Sequence, residues 1–155
     1  MRATRFGFGV GLLCAALSAG AADRGSGHFR KGEVRVEAKH VIAVTVDEEG
    51  DAASARTFVY LSSVPMDAGN IAAVFQPSSV AEGQLGDASA GYVRICINPD
   101  GDECGLYFSH NNPNASFNTS GYGTFKLASA PAGRIAGRWV LAEPDDFFGE
   151  TYDFD

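Results

Sequence analysis

Cys96 and Cys104 stand at equal distance from residue 100, at the ends of the run Cys-Ile-Asn-Pro-Asp-Gly-Asp-Glu-Cys. Pro99-Asp100-Gly101 inside it is a turn signature: proline fixes φ at one corner and glycine supplies positive φ after it. Such a turn folds the run into a hairpin and sets the two sulfurs across from each other, where an oxidising compartment joins them as a disulfide. A metal or redox role for the pair lacks the C-x-x-C spacing that this chemistry uses.

The same turn crowds together the oxygen donors of Asn98, Asp100, Asp102 and Glu103. Ca²⁺ takes oxygen ligands at alternate positions, so Asn98, Asp100 and Asp102 are the candidate metal ligands, of a weak extracellular calcium site. The later bidentate Glu and the flanking helices of an EF-hand are missing, and the simpler reading is an acidic, solvated hairpin. No other cofactor is indicated.

A second chemical stretch follows at 109–123, which reads as a long connection carrying His110, Asn112, Phe117 and Tyr122 among further asparagines. Aromatic faces beside amide side chains stack on and hydrogen-bond to a glycan or a peptide. The plain alternative is a flexible Asn/Ser/Gly connector. Two N-x-[ST] acceptors, at Asn114 and Asn118, lie in the same stretch. His110, next to Ser109, is the histidine placed for general-base work, so a secreted hydrolase is the alternative function. His28 falls near the start and His40 on the apolar side of a strand, and neither a G-x-S-x-G elbow nor an H-E-x-x-H helix accompanies them.

The compartment is read from the first 21 residues. Arg2 and Arg5 precede an apolar run from Phe6 to Leu17, and Ala19-Gly20-Ala21 fits a small-x-small cleavage site. The run is shorter than the roughly 20 residues that span a bilayer. The expectation is a signal peptide at 1–21, a mature chain from Ala22, and a secreted or periplasmic location. Loss of Arg2 and Arg5 leaves 10 of 12 basic residues against all 19 acidic ones. That balance excludes nucleic acid, whose binding needs neutralised phosphates, and disfavours an anionic membrane surface.

The elements that must position these residues are short strands. In 33–46, Val34, Val36, Ala38, His40, Ile42, Val44 and Val46 fall on one face, with Glu33, Arg35, Glu37 and Lys39 opposite. This strand is long enough to bend and serve two sheets, and the acidic run 47–51 ends it as a turn. Further strands are expected at 56–62, 92–97, 105–109, 124–128, 137–142 and 151–155, with turns at 130–133 and 143–145. One short helix is expected after Pro65, with Asp67 as N-cap, Met66 and Ile71 as hydrophobic staple, Ile71, Val74 and Phe75 on one face, and Pro77 as its end. Residues 78–91 read as a loop and 22–32 as a flexible lead-in with only Phe29 to bury.

The pattern predicts an all-β chain with one short helix, folded as an antiparallel β-sandwich of immunoglobulin-like general architecture over 33–155. Tyr152 and Phe154 begin an alternation that stops at Asp155, which reads as a truncated last strand. The function expected from these features is a binding or structural accessory outside the cytoplasm, with a glycan, a peptide or another exported protein as partner.

Overall fold

The computed structural model describes residues 23–46, 55–72, 77–120, 124–128, 134–147 and 149–155. The expected leader, the turns at 47–51 and 130–133, the helix-face residues Val74 and Phe75, and Tyr122 lie outside them.

The long alternating stretch breaks at Lys39. Val34–Ala38 forms β2 and His40–Val46 forms β3, and the two belong to different sheets. A single chain direction thus feeds two layers, as its length anticipates. β1 (Gly27–Lys31), β2, β10 (Asp145–Phe147) and β11 (Glu150–Phe154) make a four-stranded sheet in the order β10-β11-β1-β2. β3, β4 (Arg56–Ser62), β5 (Gly91–Ile97), β6 (Glu103–His110) and β7 (Ala115–Thr119) follow one another in a five-stranded sheet. β8 (Phe125–Leu127) and β9 (Gly137–Trp139) pair as a small ribbon. All pairings are antiparallel.

Alternation sorts the side chains into two cores. Phe29, Val34 and Val36, with Tyr152 and Phe154, meet Val93, Ile95, Ile97, Leu106 and Phe108 of the larger sheet, and Trp139 joins them from β9. The opposite face of the larger sheet carries Val44, Phe58, Tyr60 and Tyr92, which pack on Ile71, Ala81 and Leu85. The arrangement is sandwich-like and mostly β, with helices over the far face of one sheet.

Several expectations change. The lead-in reading of 22–32 gives way to β1, a central strand, because Phe29 buries fully between the sheets and the backbone of β1 pairs with both β2 and β11. Gly27 sits at φ +145 where a Cβ would collide with the Asp155 carbonyl, so glycine is required for the two segments to approach. Among the described residues there are two short helices rather than one. α1 (Ala68–Ala72) starts as expected, with Asp67 Oδ1 accepting the N–H groups of Gly69 at 2.8 Å and Asn70 at 3.2 Å. Pro77 opens α2 (Pro77–Gly83) instead of only stopping a helix, since proline lacks the N–H that a first turn leaves unused. Part of the 78–91 loop is therefore helical, and Ala81 and Leu85 bury there. Asp145, read as turn, begins β10.

The sheet of β1 and β11 is pinned by charge at its surface. His28 Nε2 donates to Asp153 Oδ1 at 2.6 Å, and Arg30 pairs with the other oxygen. Burial pushes the Asp153 carboxyl up, but the hydrogen bonds from His28 and Arg30 outweigh this and hold it below the usual carboxylate range. A depressed carboxylate stabilises the fold above its unfolded pKa and loses that contribution as pH falls through the folded one. Asp153→Asn should therefore lower the melting temperature at neutral pH, and the gap from wild type should close as the pH falls below the ordinary carboxylate range. Thermal melts across that range check it; a gap independent of pH would show that the carboxylate is not the cause.

Candidate functional site

The hairpin expected around residue 100 is present. Gly101 has φ +93 and its N–H bonds the Asn98 carbonyl at 2.9 Å, while Asn98 N–H bonds Asp102. Cys96 and Cys104 are joined, with Cα atoms 5.0 Å apart. Cys104 is the extra residue of a bulge, since Cys96 faces Gly105 and Ile97 faces Glu103 across the ladder.

Two of the turn's side-chain oxygens accept backbone N–H groups. Asp100 Oδ1 accepts the Asp102 N–H at 3.2 Å, and Glu103 Oε2 accepts from Thr124 at 3.1 Å and Phe125 at 3.4 Å. Among the described residues no group of three His, Cys, Asp or Glu side chains gathers as metal ligands.

The 109–123 stretch is not one long loop. Residues 111–114 form a turn and β7 follows, because Ala115, Phe117 and Thr119 alternate against exposed Ser116 and Asn118. Phe117 lies with its ring 4.6 Å from Tyr152, packed against the inter-sheet core. His110 is 6% exposed, and its Nδ1 donates to the Pro113 carbonyl at 3.1 Å. Asn112 is exposed in the turn, next to a cis bond to Pro113. Tyr122 lies outside the described residues; of the other three, His110 is buried, Phe117 packs on the inter-sheet core and Asn112 is exposed.

A concave site lies elsewhere, on β3 and β4. In β2 the outer face is Arg35 and Glu37; past Lys39 the same face becomes Val41, Ala43 and Thr45. These pair across the ladder with Leu61, Val59 and Thr57, and directly opposite residues share a face. Val59 and Leu61 point to the inter-sheet core, so the whole strip does, yet Ala43 is exposed. The four-stranded sheet and the β8–β9 ribbon both stack on this face and leave a gap between them.

The gap is a cavity of about 700 Å³. Val41, Ala43, Val59, Leu61, Val93 and Ile95 form its floor, Phe29 and Val36 one wall, and Phe125, Ile135 and Trp139 the other. Residues 23–26 run along its mouth, where a Cβ on Gly25 would stand 3.1 Å from Val41 Cβ. Asp23 pairs with Arg134 at 3.3 Å and Asp155 with Arg138 at 2.8 Å on the rim. A smaller cavity of about 370 Å³ adjoins it, lined by Thr45, Thr57, Asn98 and Leu127 and sharing Ala43, Arg134 and Ile135.

The lining joins an apolar floor to a charged edge that includes Asp23, Arg24, Arg134, Arg138 and Asp155. Its histidine, His28, is engaged by Asp153, and among the described residues no serine or threonine hydroxyl bonds its ring. On the opposite face of the larger sheet, Arg94 lies over the rings of Phe58 and Tyr107, and Tyr107 Oη donates to Glu82 at 2.5 Å. Burial pushes the phenols of Tyr60, Tyr92 and Tyr107 up, so they stay protonated at neutral pH and are not bases.

The cavity residues carried one sequence signal that the alternation reading did not use. The outer face of the 33–46 stretch turns from charged to apolar after Lys39, and a solvent-facing strand has no reason to do so. Among the described residues no helix is long and apolar enough to cross a membrane. No family model, curated protein or solved structure matches the chain.

Proposed function

We propose that the protein is an exported binding module that holds a small, largely apolar ligand in the cavity between the four-stranded sheet and the β8–β9 ribbon. The apolar floor over Val41, Ala43, Val59 and Leu61 carries this reading, because an apolar wall left open to water is stabilised by a ligand that covers it. The basic-then-apolar start at 1–21 and the Cys96–Cys104 bridge support export. A hydrolase built on His110 has less support: the ring is buried, its Nδ1 serves the Pro113 carbonyl, and it does not line the cavity.

Burial of about 300 Å² of apolar ligand surface gains roughly 7 kcal/mol, of which association takes back at least about 4 kcal/mol, so a simple apolar probe binds weakly, in the millimolar range. The neutral dye Nile red should brighten and shift to the blue on titration with the protein. Leu61→Trp, which fills the floor, should weaken that response about tenfold while the circular dichroism stays unchanged. A dye that does not respond, or a response indifferent to Leu61→Trp, overturns the reading.

A further inference from the structure

We infer that the ligand is a linear alkyl amphiphile, lying along β3 and β4 through both cavities, with its tail over Val41 and Leu61 and its polar head beside Thr45 and Thr57. The inference rests on the binding reading above and adds the shape and polarity of what is bound.

The shape comes from the strand period. Val41, Ala43 and Thr45 face one side of β3, each paired with the matching residue of β4: Leu61, Val59 and Thr57. Four residues of antiparallel strand span about 14 Å, close to the length of an extended lauryl chain. The strip is continuous across the boundary of the cavities, because Ala43 lines both. The residue at that junction is the smallest in the strip and its side chain is exposed, so the floor has no step there. Above it, Arg134 and Ile135 also border both spaces.

The polarity comes from the two ends. At the larger cavity the floor is aliphatic, with Phe29 and Trp139 deep in the core, and Asp23, Arg24, His28, Arg138 and Asp155 complete the lining at its edge. At the smaller one Thr45 Oγ1 and Thr57 Oγ1 lie 3.2 Å apart, and Asn98 and Arg134 join the lining. Hydroxyl, amide and guanidinium groups there suit an oxygen-bearing head. Nothing comparable lines the floor beneath the tail.

A linear site discriminates by chain length. Straight-chain alkanoates from octanoate to palmitate, used to displace Nile red from the full chain, should gain about threefold to fourfold in affinity per methylene, up to about laurate. Adamantane carboxylate, compact and of the same head group, should bind at least tenfold more weakly than laurate. Ala43→Trp puts an indole at the junction, about 7 Å along the strand from the head at Thr45, so it should weaken octanoate and all longer alkanoates and flatten the gain with chain length. Ala43→Leu, a smaller obstruction, should give an intermediate loss and guards against misfolding of the first variant. The inference is overturned if affinity levels off at octanoate in the wild type, if adamantane carboxylate matches laurate, or if both variants keep the full series. In those cases dye binding that still responds to Leu61→Trp leaves the simpler cavity reading standing. Failure of the dye and of every alkanoate removes both.

Discussion

Phe29→Ala should destabilise the fold by about 3–5 kcal/mol and lower the melting temperature by roughly 10–15 °C. Phe29 is 1% exposed. Its ring centroid lies 4.7 Å from Phe108, 6.2 Å from Trp139, 6.3 Å from Tyr152 and 6.1 Å from Phe154. Truncation removes a buried aromatic side chain and several ring contacts, each worth about 0.5–1.5 kcal/mol beyond burial. The neighbours come from three different strands and cannot collapse together into the space. Phe29→Leu keeps most of the volume and should cost about 1.5 kcal/mol or less. If 22–32 were a mobile lead-in, both substitutions would stay within about 0.5 kcal/mol, the range of ordinary surface changes. Denaturant melts of the three proteins decide between a keystone and a tether.

Breaking the bridge is the second large effect. Cys96 and Cys104 close a loop with a sequence separation of 8, and the chain-entropy relation assigns such a loop about 2–3 kcal/mol. Cys104→Ser should therefore lower the melting temperature by roughly 10 °C without loss of β-sheet signal. Cys104 is only half-buried, so the new hydroxyl adds little penalty of its own. Reduction of the wild type should bring its melt down to that of the variant, and the variant should be indifferent to reductant. A wild type whose melt ignores reductant would mean that the bridge does not hold the native hairpin together. The bulge at Cys104 also aims Glu103 at the Thr124 and Phe125 N–H groups, so the loosened hairpin should raise hydrogen exchange at those two amides as well.

Features governed by neighbouring residues were legible without coordinates. The 33–46 alternation, the strand at 56–62, the Asp67 cap and the Pro99-Gly101 turn each depend on contacts within a few positions, where φ preference, period and side-chain reach decide the outcome. The Cys96–Cys104 bridge belongs to the same class, because one tight turn sets both sulfurs. Residues whose role depends on distant partners were not legible. Phe29 sits among Gly, Ser and charge, and only the closing of β11 onto β1 makes it the centre of a core. His110 and Phe117 look like surface chemistry in an Asn-rich stretch, but β7 pairs with β6 and turns Phe117 inward while the 111–114 turn takes up the His110 ring. Helix α2 starts at a proline that local rules read as a stop. The cavity is the clearest case. Its floor is visible as a change of face after Lys39, yet a cavity exists only because the four-stranded sheet and the β8–β9 ribbon both stack on that floor, touch each other at Phe154 and Trp139, and leave a gap over the rest. Local preference determined which segments are strands and turns; long-range packing decided which of their faces remain open to a ligand.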